Sequence, residues 1–312
     1  MNALLPISKP SSQSPLDYPE LTHFQRRMKR RPPTEEEIQE RLRLGYGSGD
    51  GKAYKEWIEF RDLSTRGNAS RFTSEVTGRR HTVFSGIEDD LFCTVERQER
   101  TVDIQLQRAM EREITVACAK ALNVEHPRYD QSDVYAVMSL DAVVKRRHED
   151  GTVRTSVFDS KTSKDLDRRR LEKLSIHKLY CEYVGWSHSI VTEQTFSTQV
   201  RKNLAWIRGG RQKEREVVTP PGLFNLYPDR MLAELASLKR HLPLYEFAER
   251  FDRRHGLPIG IGLRVCKILA WRHLVHVDVN GPEIESTSTR GLINRSQASG
   301  RKALIWGIPK AH

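Results

Sequence analysis

A chain of 312 residues with 52 Lys and Arg against 41 Asp and Glu carries a formal charge of +11. That length leaves room for about two domains, each burying its own core. No apolar run approaches a membrane span, and the stretch Met1–Pro6 lacks the basic and apolar regions of a secretory leader. The four cysteines (Cys93, Cys118, Cys181, Cys266) are scattered, with neither zinc-binding spacing nor a disulfide frame, so a cytoplasmic, reducing setting is expected. A basic excess of this size suits nucleic acid as a partner.

Residues 1 to 33 read as a tail, rich in Pro and Ser and closed by the basic block Gln25–Arg31 and Pro32-Pro33. Thr34 is placed to cap a helix whose first turn is Glu35 to Glu37 and whose apolar face begins with Ile38, Leu42 and Leu44. The glycine-rich run Gly45–Lys52 resembles a phosphate loop only superficially. A Walker motif needs glycine where Tyr46 stands and Ser or Thr where Ala53 stands, so a flexible loop near a DNA backbone is expected instead. Trp57, Ile58 and Phe60 start a packed segment, and Arg61 to Arg80 is polar and turn-rich.

Ser85 and Glu88 have capping-box spacing, and Ile87, Leu91, Phe92 and Val95 make the buried stripe of the helix that follows. Glu88 has two readings at this point: a helix-start glutamate, or an acidic ligand aimed at a metal from the start of a helix. Thr101 to Leu106 reads as a strand.

Tyr135 to Val144 and Thr152 to Phe158 are rich in β-branched and aromatic residues and flank a charged turn ending at Asp150-Gly151. Strand alternation predicts that Asp159 and Lys161 share a face, with Asp141 opposite them on the partner strand. Two carboxylates and an ammonium would then hold a divalent metal beside a phosphate. The spacing is that of the (P)D…(D/E)xK pattern of many nucleases, with Leu140 in the proline position.

Leu171, Leu174, Leu179 and Tyr180 recur at helical spacing, Ser189 to Thr192 reads as a strand, and Val200 to Ile207 as a short helix. Together these predict an α/β fold with a mixed central sheet. Residues 209 to 222 look like a linker. Asp229–Leu238, Leu244–Arg254 and Ile261–Ala270 have amphipathic helical spacing, and Trp271–Val279 alternates before turning at Asn280-Gly281-Pro282. Three helices and a hairpin predict a winged-helix module. His273 and His276 lack the spacing of a metal-binding helix pair.

From about residue 38 to 208 the chain resembles the TnsA family, the endonuclease subunits of heteromeric cut-and-paste DNA transposases. The similarity runs through Lys52–Trp57, Thr77–His81 and Phe84–Glu88, then Val102–Ile104, His126-Pro127 and Val137–Asp141. It continues in Asp159-Ser160-Lys161, Leu171–Leu174 and Asn203–Ile207, all in family order. The resemblance implies a restriction-endonuclease-like core over residues 34 to 195, a winged-helix domain over 196 to 295 and a tail over 296 to 312. It also implies Glu88, Asp141 and Lys161 as the catalytic set. Glu88, Asp141, Asp159 and the Ser160 carbonyl would hold one or two Mg²⁺ ions, with Mn²⁺ able to substitute. The implied activity is cleavage of the 5′ ends of a transposon in bacterial cytoplasm. Double-stranded transposon-end DNA, a TnsB-like transposase and a TnsC-like ATPase docking on the C-terminal region are the implied partners. A stand-alone restriction or repair nuclease, or a non-catalytic DNA-binding adaptor, are the competing expectations.

Overall fold

The computed structural model describes residues 31–59, 69–211 and 220–292. The expectations for most of the N-terminal tail, for part of the linker and for the tail beyond residue 295 lie outside those residues.

The central sheet has four strands: β3 (Thr101–Ala109), β4 (Ser139–Arg147), β5 (Val153–Ser160) and β6 (Ser187–Val191), in that spatial order. The first three are antiparallel neighbours, and β5 and β6 run parallel. Parallel pairing needs a crossover, supplied by helix α4 (Arg168–Tyr183). A separate hairpin of β1 (Ser70–Thr73) and β2 (Arg80–Val83) begins inside the stretch read as polar and turn-rich. The Asp150-Gly151 hairpin forms as predicted, with Gly151 at φ 82.

The pleat divides the apolar residues between two faces. Ile104, Leu106, Ala142, Val144 and Phe158 pack against helix α2 (Gly86–Arg97), through Leu91, Phe92 and Val95. Leu140, Val143 and Val157 pack against helix α3 (Arg112–Ala121) and α4, through Cys118, Ile176, Tyr180 and Cys181. The sheet is therefore covered on both sides.

Before the sheet, helix α1 (Glu35–Arg43) starts with a complete Thr34–Glu37 capping box. The glycine-rich run after it is pinned to the sheet rather than free: Ala109 N–H donates to the Gly47 carbonyl at 3.1 Å, and Gln105 Nε2 to that of Gly49 at 3.1 Å. A Cβ on Gly47 would lie 2.3 Å from that of Ala109, so glycine is needed there for close approach. This corrects the flexible-loop expectation. The run covers the outer edge of β3, where unpaired backbone groups would otherwise face solvent.

After the sheet come α5 (Thr198–Arg208), α6 (Leu226–Ser237), α7 (Leu244–His255) and α8 (Ile261–Trp271). Their buried residues join those of α2 and the sheet in one apolar cluster running from Phe72 to Leu292. The expected wing is absent as paired strands among the described residues. Val275 and Val277 are buried, so the alternation was real, but they pack into the helical core. Asn203 Nδ2 also donates to the carbonyls of Val279, Gly281 and Pro282, acceptors that a strand ladder would need. No helix among the described residues is long and apolar enough to cross a membrane.

Where α5 ends on α8, the two backbones touch. A Cβ on Gly210 would lie 1.9 Å from the Lys267 carbonyl oxygen and 2.7 Å from the Ile268 nitrogen. Backbone cannot give way as a flexible side chain can. Gly210→Ala is expected to cost about 2–3 kcal/mol in chemical denaturation. A loss below about 0.5 kcal/mol would mean that the two helices separate freely.

Candidate active site

Three elements bring the predicted acidic and basic groups together. Ser85 caps α2 by accepting from the Glu88 N–H at 3.1 Å, and Glu88 reaches back to accept from the Phe84 N–H at 2.9 Å. Glu88 is thus held at the helix start by its capping role, with its charge turned toward the sheet. Asp141 lies near the start of β4, where the ladder to β3 skips it: Leu106 pairs Ala142 and Arg108 pairs Leu140. Gln107, left over opposite Asp141, has φ 51. Asp141 Oδ2 accepts from the Ser160 N–H at 2.8 Å and from Lys161 Nζ at 2.6 Å. Lys161 Nζ also donates to the Ser160 carbonyl at 3.1 Å.

The charges are coupled. Burial pushes the Glu88 carboxyl up to about 7, and the Asp141 carboxylate adds to the shift against the backbone and Lys161. For Lys161, burial opposes the charge, but Asp141 and Asp159 outweigh it and hold the ammonium above its ordinary value. Lys161 is therefore a cation at neutral pH, suited to pairing with a phosphate oxygen and unsuited to taking a proton.

Asp159 stands elsewhere than predicted. Strand β5 ends at Ser160, the Lys161 N–H donates to the Val191 carbonyl at 2.9 Å, and the two side chains take different partners: Lys161 turns to Asp141 and Asp159 to two histidines. The fully buried Asp159 accepts from the Asp141 N–H through Oδ1 at 3.2 Å. Its Oδ2 lies 2.7 Å from both His177 Nδ1 and His188 Nε2. Burial disfavours its charge, but the two histidines prevail and keep the carboxyl well below the usual range. Nothing in the motif pointed to these histidines. The available signal was a histidine on the buried face of α4, between Ile176 and Tyr180.

A second set of groups also escaped the sequence reading. Asp89 and Asp90 follow Glu88 on α2. Asp90 is buried and accepts from Arg201 Nε at 3.1 Å and from Arg208. Asp89 accepts from Arg211 at 2.5 Å, and the Arg211 guanidinium lies between Phe72 and Trp271, 3.6 and 4.4 Å from their ring centres. The turn that carries Glu88 is thereby clamped to α5 and the residues just beyond it.

A mixed sheet covered by helices on both faces, with Glu88 of α2, Asp141 of β4 and Lys161 just after β5 near one end, is consistent with an α/β restriction-endonuclease-like fold. Residues 98–193 match the family model described as TnsA-like endonuclease N terminal, and residues 197–279 match TnsA endonuclease C terminal. Asp141, Asp159 and Lys161 fall within the first match, and Glu88 lies just before it. Over 237 residues the chain is 28% identical to Transposon Tn7 transposition protein TnsA of Escherichia coli, across 76% of this chain and 83% of that protein. The chain belongs to the TnsA endonuclease family.

Glu88 and Asp141 are hard oxygen donors, and burial followed by the Asp141 charge raises the Glu88 carboxyl, a combined cost that a divalent cation would relieve. The donor set fits Mg²⁺ or Mn²⁺.

Proposed function

We propose that the chain is the DNA-cutting subunit of a heteromeric transposase, hydrolysing one phosphodiester at each 5′ end of the transposon in bacterial cytoplasm. Its partners in this reading are duplex transposon-end DNA, a TnsB-like transposase that cuts and joins the 3′ ends, and a TnsC-like ATPase docking on the C-terminal helices. The observation that carries the reading is Asp141 held against Lys161 at 2.6 Å, with Glu88 near enough for its carboxyl to feel both charges.

Glu88, Asp141 and the Ser160 carbonyl would hold Mg²⁺. When bound, the ion polarises the phosphate and makes water a better nucleophile. Asp141 is fixed by the Ser160 N–H and the Lys161 ammonium, so its oxygens are oriented before substrate arrives. Lys161 has three N–H groups and spends two on Asp141 and the Ser160 carbonyl, leaving one for a phosphate oxygen or the attacking water. Its fixed positive charge offsets the negative charge that grows on the phosphate during in-line attack. Water oxygen bonds phosphorus, the bond to the 3′ oxygen breaks, and that oxygen takes up a proton. The products carry 5′-phosphate and 3′-hydroxyl ends. Asp159 acts from behind, holding the Asp141 N–H.

Lys161→Ala and Glu88→Gln test the reading in transposase reconstituted with both partners and transposon-end DNA. Each is expected to slow 5′-strand cleavage by roughly 10²-fold or more, with 3′ cleavage retained. Chelation should stop the 5′ cut. Full 5′ cleavage by both variants would overturn the reading, and sequence-specific cutting without any partner would favour a stand-alone nuclease.

A further inference from the structure

We propose that Asp159, His177 and His188 form a transition-metal site of the zinc class, distinct from the carboxylates that face DNA. The three side chains come from β5, α4 and β6, and their donor atoms lie within 4.8 Å of one another. All are held out of solvent, with side-chain exposures of 0% for Asp159, 10% for His177 and 6% for His188. Both imidazoles aim a nitrogen at the same carboxylate oxygen, each at 2.7 Å. Independent elements thus converge on one point.

The donor chemistry selects the ion. Two imidazoles and one carboxylate suit Zn²⁺ and its first-row neighbours, whereas Mg²⁺ prefers oxygen donors and keeps its water. With metal–ligand bonds of about 2.0–2.2 Å, tetrahedral donors stand roughly 3.3 Å apart, so the present contacts need to open by only about 0.6 Å. The proton count balances. An imidazole that donates its N–H to Asp159 moves that hydrogen to its other ring nitrogen, or releases it to solvent, and turns the freed lone pair to the ion. A fully buried carboxylate also gains from the full positive charge of an ion bound beside it. Because Asp159 Oδ1 holds the Asp141 N–H, the ion stands one hydrogen bond behind the catalytic aspartate and stiffens its support.

The test is the metal content of the full chain, purified without a histidine tag. Wild type and Asp141→Ala are each expected to retain about one zinc per chain after dialysis against weak chelator, and His177→Ala and His188→Ala to lose it more than fivefold. As a measurement independent of variant folding, wild type stripped of metal is given Zn²⁺ or Mg²⁺. Zinc should raise Tm by roughly 5 °C, and Mg²⁺ at equal concentration should not. Wild type that binds no zinc and shows no zinc-dependent Tm shift would overturn the proposal, leaving a hydrogen-bonded cluster. Zinc kept by both histidine variants, or lost in Asp141→Ala, would also overturn it by placing the ion elsewhere. None of these readouts uses DNA cleavage, so this proposal and the nuclease reading stand or fall separately.

Discussion

Asp141→Ala should eliminate 5′-strand cleavage, by roughly 10³-fold or more, while the 3′ cuts of the partner transposase continue. The size of the effect follows from what Asp141 does. It is the partner of Lys161, the acceptor of the Ser160 N–H and, after burial, a charge that raises Glu88, so removing it alters the charge arrangement as well as the proposed ligand set. Stability should change little. Lys161 is left without its carboxylate, but its side chain is 29% exposed and can turn to water, and Glu88 loses a repulsive neighbour. Strand-specific analysis of end-labelled DNA in the complete transposase, with a melting curve of each protein, separates chemistry from folding. Surviving 5′ cleavage would place the metal centre elsewhere. Joint loss of both strands' cuts would show that the variant fails to assemble.

A large stability effect is expected two residues along α2 from Glu88, at Asp90. Asp90→Ala removes a buried carboxylate that serves Arg208 and Arg201 together. Breaking a buried pair from one side leaves the opposite charge uncompensated and costs about 3–5 kcal/mol. Arg201 is half exposed and recovers water, and Arg208 keeps the Asp89 carboxylate at 3.5 Å, so a loss just below that range, about 2–3 kcal/mol, is expected. The comparison is Arg250→Ala, which breaks an exposed pair with Glu246 one helical turn away and should cost under about 0.5 kcal/mol. Urea denaturation of both variants checks the contrast. Equal losses would mean that the Asp90 cluster is no more than a solvated ion pair.

The secondary structure was largely legible where local signals are strong. Thr34 and Ser85 mark helix starts, Asp150-Gly151 marks the hairpin, and the three C-terminal helices fall within a few residues of their apolar periods. Local signals failed where tertiary contacts decide. The β1–β2 hairpin lies in a polar stretch, its stability coming from Phe72 and Val83 beneath it. The alternation around Val275 and Val277 reports burial, and burial against helices has no strand ladder to offer. At the site, the spacing anticipated the meeting of Asp141 and Lys161, whereas Asp159 turns to His177 and His188. What turns Asp159 away is the pair of histidines, one on α4 and one on β6, that close on its Oδ2. The partners of Asp159, of Asp89 and of Asp90 lie between 18 and 122 residues away in the chain, where no short motif reaches.

The seam between the nuclease sheet and the C-terminal helices bears on how such chains can be exchanged. Phe72 meets Trp271 edge-on at 5.9 Å with Arg211 against both rings, and Arg97 donates to the Ala270 carbonyl at 2.5 Å. A crossover between two relatives near residue 195 would set one parent's Asp89, Asp90 and Phe72 against the other's arginines and tryptophan. Each mismatch would fall inside a shared core, beside the turn that holds Glu88. The two halves are thus bound to be inherited as a matched pair, and substitutions along the seam should arise in compensating sets.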